Sequence, residues 1–307
     1  MPDYTALARE LSASLPAMEL REYEPMNTRC SFKIGGPARL MLLPGSARDA
    51  ARALAILRAG DANVLIAGNC TNLLVPDEGY MGAVVCMGQP MSSLESPDGT
   101  HIRAGAGASL ASAAAYAAQL GLTGLEFAHG IPGSVGGGCA MNAGAYGGEL
   151  KDALESVEFI DEDGIIRVLP VSELGMGYRH SLFSDSGRLV TSALFRLAPG
   201  DGEEIRGKMR SLAERRRASQ PLDMPSAGST FKRPETGYAA ELIDRCGLKG
   251  FTIGGAAVSE KHAGFIVNLG GATFADVTAL IREVRRRVFE QTGVLLEPEV
   301  KIVEPVS

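Results

Sequence analysis

The sequence predicts an α+β fold, because segments with a helical repeat of apolar residues and segments with strand character follow one another irregularly along its 307 residues. A second observation is the change in composition around Pro199-Gly200-Asp201-Gly202, where a strongly charged helix begins. Apolar residues make up 45% of the chain, enough to bury two or three separate cores.

The elements follow in order. Residues 3–15 suit a short amphipathic helix. Ser46 is placed to cap a helix over 47–59 that closes at Gly60. The apolar run 63–67 reads as a buried strand ending in the loop Gly68-Asn69-Cys70-Thr71-Asn72. Strands at 82–87 and 101–104 come next, then an alanine-rich helix at 109–120 ended by Gly121. Between Gly124 and Gly148 glycine is too frequent for a helix interior or a regular strand. Residues 157–161 and 165–169 flank Glu162-Asp163-Gly164, a hairpin signal, and 189–197 is a further strand. After the break near 200, the charged helix runs to about Arg217, followed by a glycine loop at 225–229, a short helix at 238–246 and a strand at 265–269. Val277, Leu280, Ile281, Val284 and Val288 recur at helical spacing, with Thr273 and Asp276 as a cap. An apolar segment, 294–303, carries Glu297 and Glu299.

Charge and cysteine usage exclude several classes. A net charge of −6 argues against general nucleic-acid or membrane-surface binding, so an anionic ligand must meet local positive charge. Cys30, Cys70, Cys86, Cys139 and Cys246 are odd in number and include no C-x-x-C pair, which points to a reducing compartment without a disulfide framework or structural zinc. His101 and His180 read as structural or surface residues, His129 and His262 have no assigned chemistry, and nothing suggests a metal site. The first fifteen residues carry Asp3 and Glu10, unlike a signal peptide, and no stretch approaches about eighteen apolar residues. A cytoplasmic monomer is expected.

Two loops suit close approach to a ligand. A turn of small and amide residues at 68–72 can aim backbone N–H groups at a diphosphate. The second is Gly130-Ile131-Pro132-Gly133-Ser134-Val135-Gly136-Gly137-Gly138, leading into Met141-Asn142-Ala143-Gly144. Neither is a Rossmann fingerprint or a phosphate loop ending G-K-[ST], and tight turns at sheet corners account for either one taken singly. Arg215, Arg216, Arg217, Lys232 and Arg233 supply positive charge beside the Gly228-Ser229 loop; a solvated helix end is the competing account.

In order along the chain, Asn27-Thr28-Arg29-Cys30-Ser31-Phe32-Lys33-Ile34-Gly35-Gly36, the run from Gly124 to Gly137, Met141-Asn142-Ala143-Gly144-Ala145-Tyr146-Gly147, Tyr178-Arg179-His180-Ser181-Leu182-Phe183, Pro225-Ser226-Ala227-Gly228-Ser229-Thr230-Phe231-Lys232, Ala256-Ala257-Val258-Ser259-Glu260-Lys261-His262 and Leu296-Glu297-Pro298-Glu299-Val300 resemble the UDP-N-acetylenolpyruvoylglucosamine reductase family. That family lies within the vanillyl-alcohol-oxidase/p-cresol-methylhydroxylase type of FAD proteins. The direct run from Phe183 into the 189–197 strand resembles its shorter, type II form. The resemblance implies an N-terminal helix (1–20), an FAD-binding domain of two subdomains (21–199) and an α+β substrate-binding domain (200–307). It implies noncovalent FAD and NADPH as co-substrate, with Gly68, Asn69, Cys70, Thr71, Asn72, Gly130, Ile131, Pro132, Gly133, Ser134, Gly136, Gly137, Asn142, Ala143 and Gly144 at the cofactor. Asn69 and Cys70 replace the glycines usual in the family's loop.

The resemblance further implies reduction of an enolpyruvyl ether of a UDP-amino sugar in peptidoglycan precursor synthesis. Arg179 and Glu299 would act at the substrate carboxylate, Ser229 would deliver a proton, and Tyr178, Arg217, Lys232 and Arg233 would bind substrate. The chemistry suits these types: an enolate-like dianion needs a permanent cation and a positioned acid. Another flavin oxidoreductase of the same type, acting on a sugar or alcohol, is the alternative, and a binding module without catalysis is a third reading. Many such oxidases hold flavin through a histidine in the diphosphate loop, and residues 68–72 contain none.

Overall fold

The computed structural model describes residues 2–306. In chain order the elements are α1 (Tyr4–Ser14), β1 (Glu19–Pro25), α2 (Met26–Arg29), β2 (Pro37–Leu43), α3 (Ala47–Ala59), β3 (Val64–Ala67), β4 (Leu73–Leu74), β5 (Tyr80–Cys86), β6 (Leu94–Glu95), β7 (His101–Gly105) and α4 (Leu110–Gln119). Then come β8 (Leu122–Thr123), α5 (Val135–Met141), β9 (Gly144–Ala145), β10 (Gly148–Glu149), β11 (Leu154–Ile160), β12 (Ile166–Pro170), β13 (Leu189–Arg196) and β14 (Ala198–Pro199). The last third holds α6 (Gly202–Ser219), α7 (Ala239–Arg245), β15 (Thr252–Ile253), β16 (Ala256–Val258), β17 (Ile266–Asn268), α8 (Phe274–Thr292) and β18 (Lys301–Ile302).

The chain forms two compact units. One comprises 2–22, Leu40–Asn69 and Gly82–Arg215; the other comprises Tyr23–Arg39, Cys70–Met81 and 216–306. The division therefore falls inside α6 rather than near residue 200, and two early segments join the C-terminal third.

One sheet has the order β1-β2-β5-β3, and another, in the first unit, has the order β12-β11-β13-β7-β6. β3 runs parallel to β5, from Val64 opposite Ala83 to Ala67 opposite Cys86. α3 forms where expected: the Ser46 hydroxyl accepts from the Asp49 N–H at 3.0 Å, and Ala50, Ala53, Leu54 and Leu57 are buried at helical spacing. The hairpin also stands, with Ile160 paired to Ile166 and Asp161 accepting from Asp163 and Ile165 N–H.

One expectation is overturned in this unit. Residues 135–141, three of them glycine, form the helix α5. A Cβ on Gly138 would come 2.9 Å from Leu150 Cδ1 and 3.1 Å from Leu110 Cδ2, and one on Gly136 would come 2.9 Å from Ala106 Cβ. Glycine costs a helix about 1 kcal/mol per position relative to alanine. Here that is offset because the helix must pack closer to its neighbours than any side chain permits.

The second unit has its own core around Phe32, Leu74, Ile243, Val258, Ile266 and the buried face of α8. β15-β16-β17 form a small antiparallel sheet, and β18 runs parallel to β4. α8 begins with a reciprocal cap between Thr273 and Asp276 and ends at Gly293, φ +72°. The expected apolar segment 294–303 is regular strand only at Lys301 and Ile302. Among the described residues, no helix is long and apolar enough to cross a membrane.

Candidate active site

In the first unit, β3 runs into Gly68, whose backbone lies against the buried Ser134 cap of α5. A Cβ at Gly68 would sit 2.2 Å from Ser134 Oγ. Only glycine allows the two glycine loops to meet this closely. The Cys86 thiol donates to the Gly68 carbonyl at 3.1 Å. The N–H groups at the start of α5 are already engaged: Val135 donates to Ala108 O at 2.8 Å, Gly136 to Ala106 O at 2.9 Å, Gly137 to Ser134 Oγ at 3.3 Å and Gly138 to Ser134 O at 2.8 Å. At Gly136 the absence of a side chain permits close packing, since a Cβ there would come 2.9 Å from Ala106 Cβ. Gly130, Ile131, Pro132 and Gly133 precede the cap, with Gly133 at φ +146°, and Ala143 is buried against α5, its N–H donating to Gly138 O at 2.8 Å.

Arg179 lies in a two-residue turn, closed by Gly177 N–H to His180 O at 3.0 Å and His180 N–H to Gly177 O at 3.3 Å. Its backbone is left-handed, φ +53°, and its guanidinium donates to Gly144 O at 3.3 Å. The guanidinium also lies 5.1 Å from the centroid of the exposed Tyr178 ring. Asn142 caps α5 in the left-handed region and is 1% exposed. Its side-chain amide makes three hydrogen bonds to the protein: Nδ2 donates to Glu149 Oε2 and Gly177 O, both at 3.0 Å, and Oδ1 accepts from Lys151 N–H at 3.0 Å. Lys151, Asn142 and Arg179 hold the Glu149 carboxyl below its ordinary range, the Lys151 hydrogen bond contributing most. Glu149 and Lys151 were not singled out in the sequence; they stand in a glycine-dense stretch without periodicity.

In the second unit, residues 229–232 pair with 297–300. Glu299 N–H donates to Thr230 O at 2.8 Å, Lys232 N–H donates to Glu297 O at 2.8 Å, and Phe231 bridges Pro298. Ser229 bridges Phe265 on its other side. Thr230, Phe231 and Val300 are buried, and Ser229 and Glu299 are half-buried. The Asn72 amide donates to the Glu299 carbonyl at 3.0 Å, and Asn72 O accepts from Lys301 N–H at 2.9 Å. Cys70 is buried at φ +51°, and its carbonyl accepts from Ser31 N–H at 3.3 Å.

Two of the candidate substrate cations, Lys232 and Arg233, have local partners for their charged groups. Lys232 pairs with Glu297 at 2.5 Å, Arg233 lies 4.4 Å from the Tyr238 ring centroid, and Lys261 Nζ donates to Arg217 O at 2.6 Å. His262 packs edge-on to Phe265, its Nδ1 accepts from Gly264 N–H at 3.2 Å, and burial lowers its pKa. Among the described residues no group of three His, Cys, Asp or Glu could hold a metal ion.

A ligand with two phosphates fits the loops chemically. Residues 68–72 and 130–134 offer backbone and short neutral polar groups, and neither 68–72 nor 130–138 includes a carboxylate to repel it. The domain family described as FAD binding domain matches residues 38–169, and the one described as UDP-N-acetylenolpyruvoylglucosamine reductase, C-terminal domain, matches 220–303. Fold and loops together define an FAD-dependent oxidoreductase.

Proteins named UDP-N-acetylenolpyruvoylglucosamine reductase from Caldanaerobacter subterraneus subsp. tengcongensis and Agathobacter rectalis are 48% and 46% identical, covering 97% and 96% of this chain and 98% and 97% of their own. The crystal structure of UDP-N-acetylenolpyruvylglucosamine reductase from Thermus caldophilus superposes with a TM-score of 0.78 at 36% identity, covering 93% of this chain and 98% of that one. The chain belongs to the UDP-N-acetylenolpyruvoylglucosamine reductase family.

Proposed function

We propose that the chain reduces the enolpyruvyl group of UDP-N-acetyl-3-O-(1-carboxyvinyl)glucosamine to give UDP-N-acetylmuramate, a step of peptidoglycan precursor synthesis, with NADPH as co-substrate. The 68–72 and 130–138 loops would hold FAD noncovalently, and the bound flavin would supply the hydride chemistry between NADPH and the substrate's methylene carbon. The remaining requirements fall on the protein: a proton for the carbon that bears the carboxylate, and positive charge for the dianion that precedes it. Ser229 Oγ holds that proton. Arg179 stabilises the developing charge through a guanidinium that stays cationic throughout. Glu299 acts at the substrate carboxylate, and Tyr178, Arg217, Lys232 and Arg233 bind the nucleotide sugar. The chain works as a monomer in the cytoplasm.

The observation that carries this reading is the pairing of 229–232 with 297–300, which brings the segments of Ser229 and Glu299 side by side and ties Asn72, from the first glycine loop, to the Glu299 carbonyl. Ser229→Ala tests it. Only the second half-reaction needs a proton delivered to carbon, so flavin reduction by NADPH is expected to keep its rate while substrate-driven reoxidation slows by ~10²–10⁴, the usual worth of a positioned acid. Anaerobic stopped-flow at the flavin absorbance separates the halves. Equal slowing of both, or of neither, would remove Ser229 from the role.

A further inference from the structure

The turn that carries Arg179 is held by Asn142 and Glu149, neither of which takes part in the proton delivery or charge stabilisation proposed above. Gly144 and Glu149 form one rung of the β9–β10 pair. The Gly144 carbonyl accepts from Arg179 Nη2 at 3.3 Å, and the charge of Arg179 is felt at the Glu149 carboxylate. Glu149 is itself fixed by Lys151 Nζ at 2.8 Å and by Asn142 Nδ2 at 3.0 Å. The second hydrogen of the same Asn142 amide goes to the carbonyl of Gly177, the residue that opens the Arg179 turn. One buried side chain therefore grips both the backbone before Arg179 and the carboxylate beneath it. Its own left-handed backbone, φ +41°, aims it there from the end of α5. Three protein hydrogen bonds exhaust both donors and use the acceptor, so its contribution is made through these contacts.

We infer that Asn142 and Glu149 are positioning residues for Arg179. Asn142 sets the height of the Gly177–His180 turn, and Glu149 supplies a fixed negative charge that orients the guanidinium. The need is plain from the backbone: Arg179 occupies the left-handed region, which an arginine holds only when its surroundings over-determine it. An arginine loosened by a fraction of an ångström stabilises a developing charge poorly, since misplacement by about 1 Å costs up to ~100-fold in rate.

The inference rests on the proposed role of Arg179, and the test separates the two. Asn142→Asp keeps shape and the Oδ1 acceptor but replaces the amide donor with an oxygen that faces two acceptors; Glu149→Gln keeps the acceptor for Asn142 and removes the charge. In the holoenzyme each is expected to slow substrate-driven flavin reoxidation by about 10- to 100-fold, and Glu149→Gln is expected to keep flavin reduction by NADPH within about two-fold of wild type. The deciding measurement is a double-mutant cycle with Arg179→Ala. If both residues act through Arg179, neither Asn142→Asp nor Glu149→Gln slows reoxidation further in the Arg179→Ala background. Losses that multiply with that of Arg179→Ala would overturn the inference while leaving the Arg179 role intact. An Arg179→Ala enzyme with wild-type reoxidation would instead overturn the role itself and the inference with it. Should Asn142→Asp fail to fold, the Glu149→Gln cycle decides alone, because Glu149 is partly exposed and its loss opens no core.

Discussion

Cys70 occupies a position built for glycine: it is buried, with φ +51°, in the loop after β3. A non-glycine residue held there is strained by roughly 1–2 kcal/mol. Replacing it with glycine releases that strain, while the loss of a buried thiol and the added freedom of the unfolded chain, about 0.5–1 kcal/mol, act the other way. Cys70→Gly is therefore expected to melt within a few degrees of wild type and to bind FAD as tightly or more so, measured by quenching of flavin fluorescence. Loss of flavin would mean that the thiol makes a contact the cofactor needs. Asn142 teaches the complementary lesson. Its place in a glycine-rich, cofactor-like motif was readable from the chain, but its hydrogen bonds go to Glu149, Gly177 and Lys151, and no local pattern encodes a partner 35 residues away.

Between residue and whole molecule, the turn joining β6 to β7 is tied by charge to β11. His101 Nδ1 meets Asp98 at 2.7 Å and its Nε2 meets Glu155 at 2.9 Å. The Asp98 and Glu155 hydrogen bonds raise the pKa of His101, while the Thr100 N–H and the His101 ring hold the Asp98 carboxyl far below the usual carboxylate range. A histidine with a raised folded pKa contributes its full stability below its unfolded value of about 6.5 and loses it as pH rises through the folded value. The lowered aspartate contributes above about 3.9 and loses its part in acid, as pH falls through its folded value. The tie is thus strongest between about pH 4 and 6.5. His101→Gln should lower the urea midpoint more at pH 6 than at pH 9; an equal loss at both would mean that neutral hydrogen bonding, not charge, holds the turn. The elements themselves were unequally legible. α3 and α8 announce themselves because a cap and a repeating apolar face lie within a few residues of each other. α5 does not, because its glycines are explained only by Ala106, Leu110 and Leu150 pressing on it.

For the molecule as a whole, bound FAD should add to stability by mass action. Flavin-stripped protein given free FAD at 100 times its Kd gains about 2.7 kcal/mol and should melt measurably higher, and acid should release the flavin quantitatively as FAD. Flavin left on the precipitated chain would contradict noncovalent binding and direct attention to Cys70. The sequence by itself determined the α+β class, the capped helices, the hairpin and the ordered motifs that mark the family, since each depends on residues close together in the chain. It also supplied the candidate residues Arg179, Ser229 and Glu299. The tertiary structure alone decided that 23–39 and 70–81 belong with the C-terminal third. It alone brought Lys232 to Glu297 across 65 residues and Asn72 to Glu299 across 227. Those side chains meet because the backbone of 229–232 pairs with 297–300 and that of Asn72 with Lys301, and a backbone N–H is the same in every residue but proline, so no reading of side chains along the chain could assign the contacts.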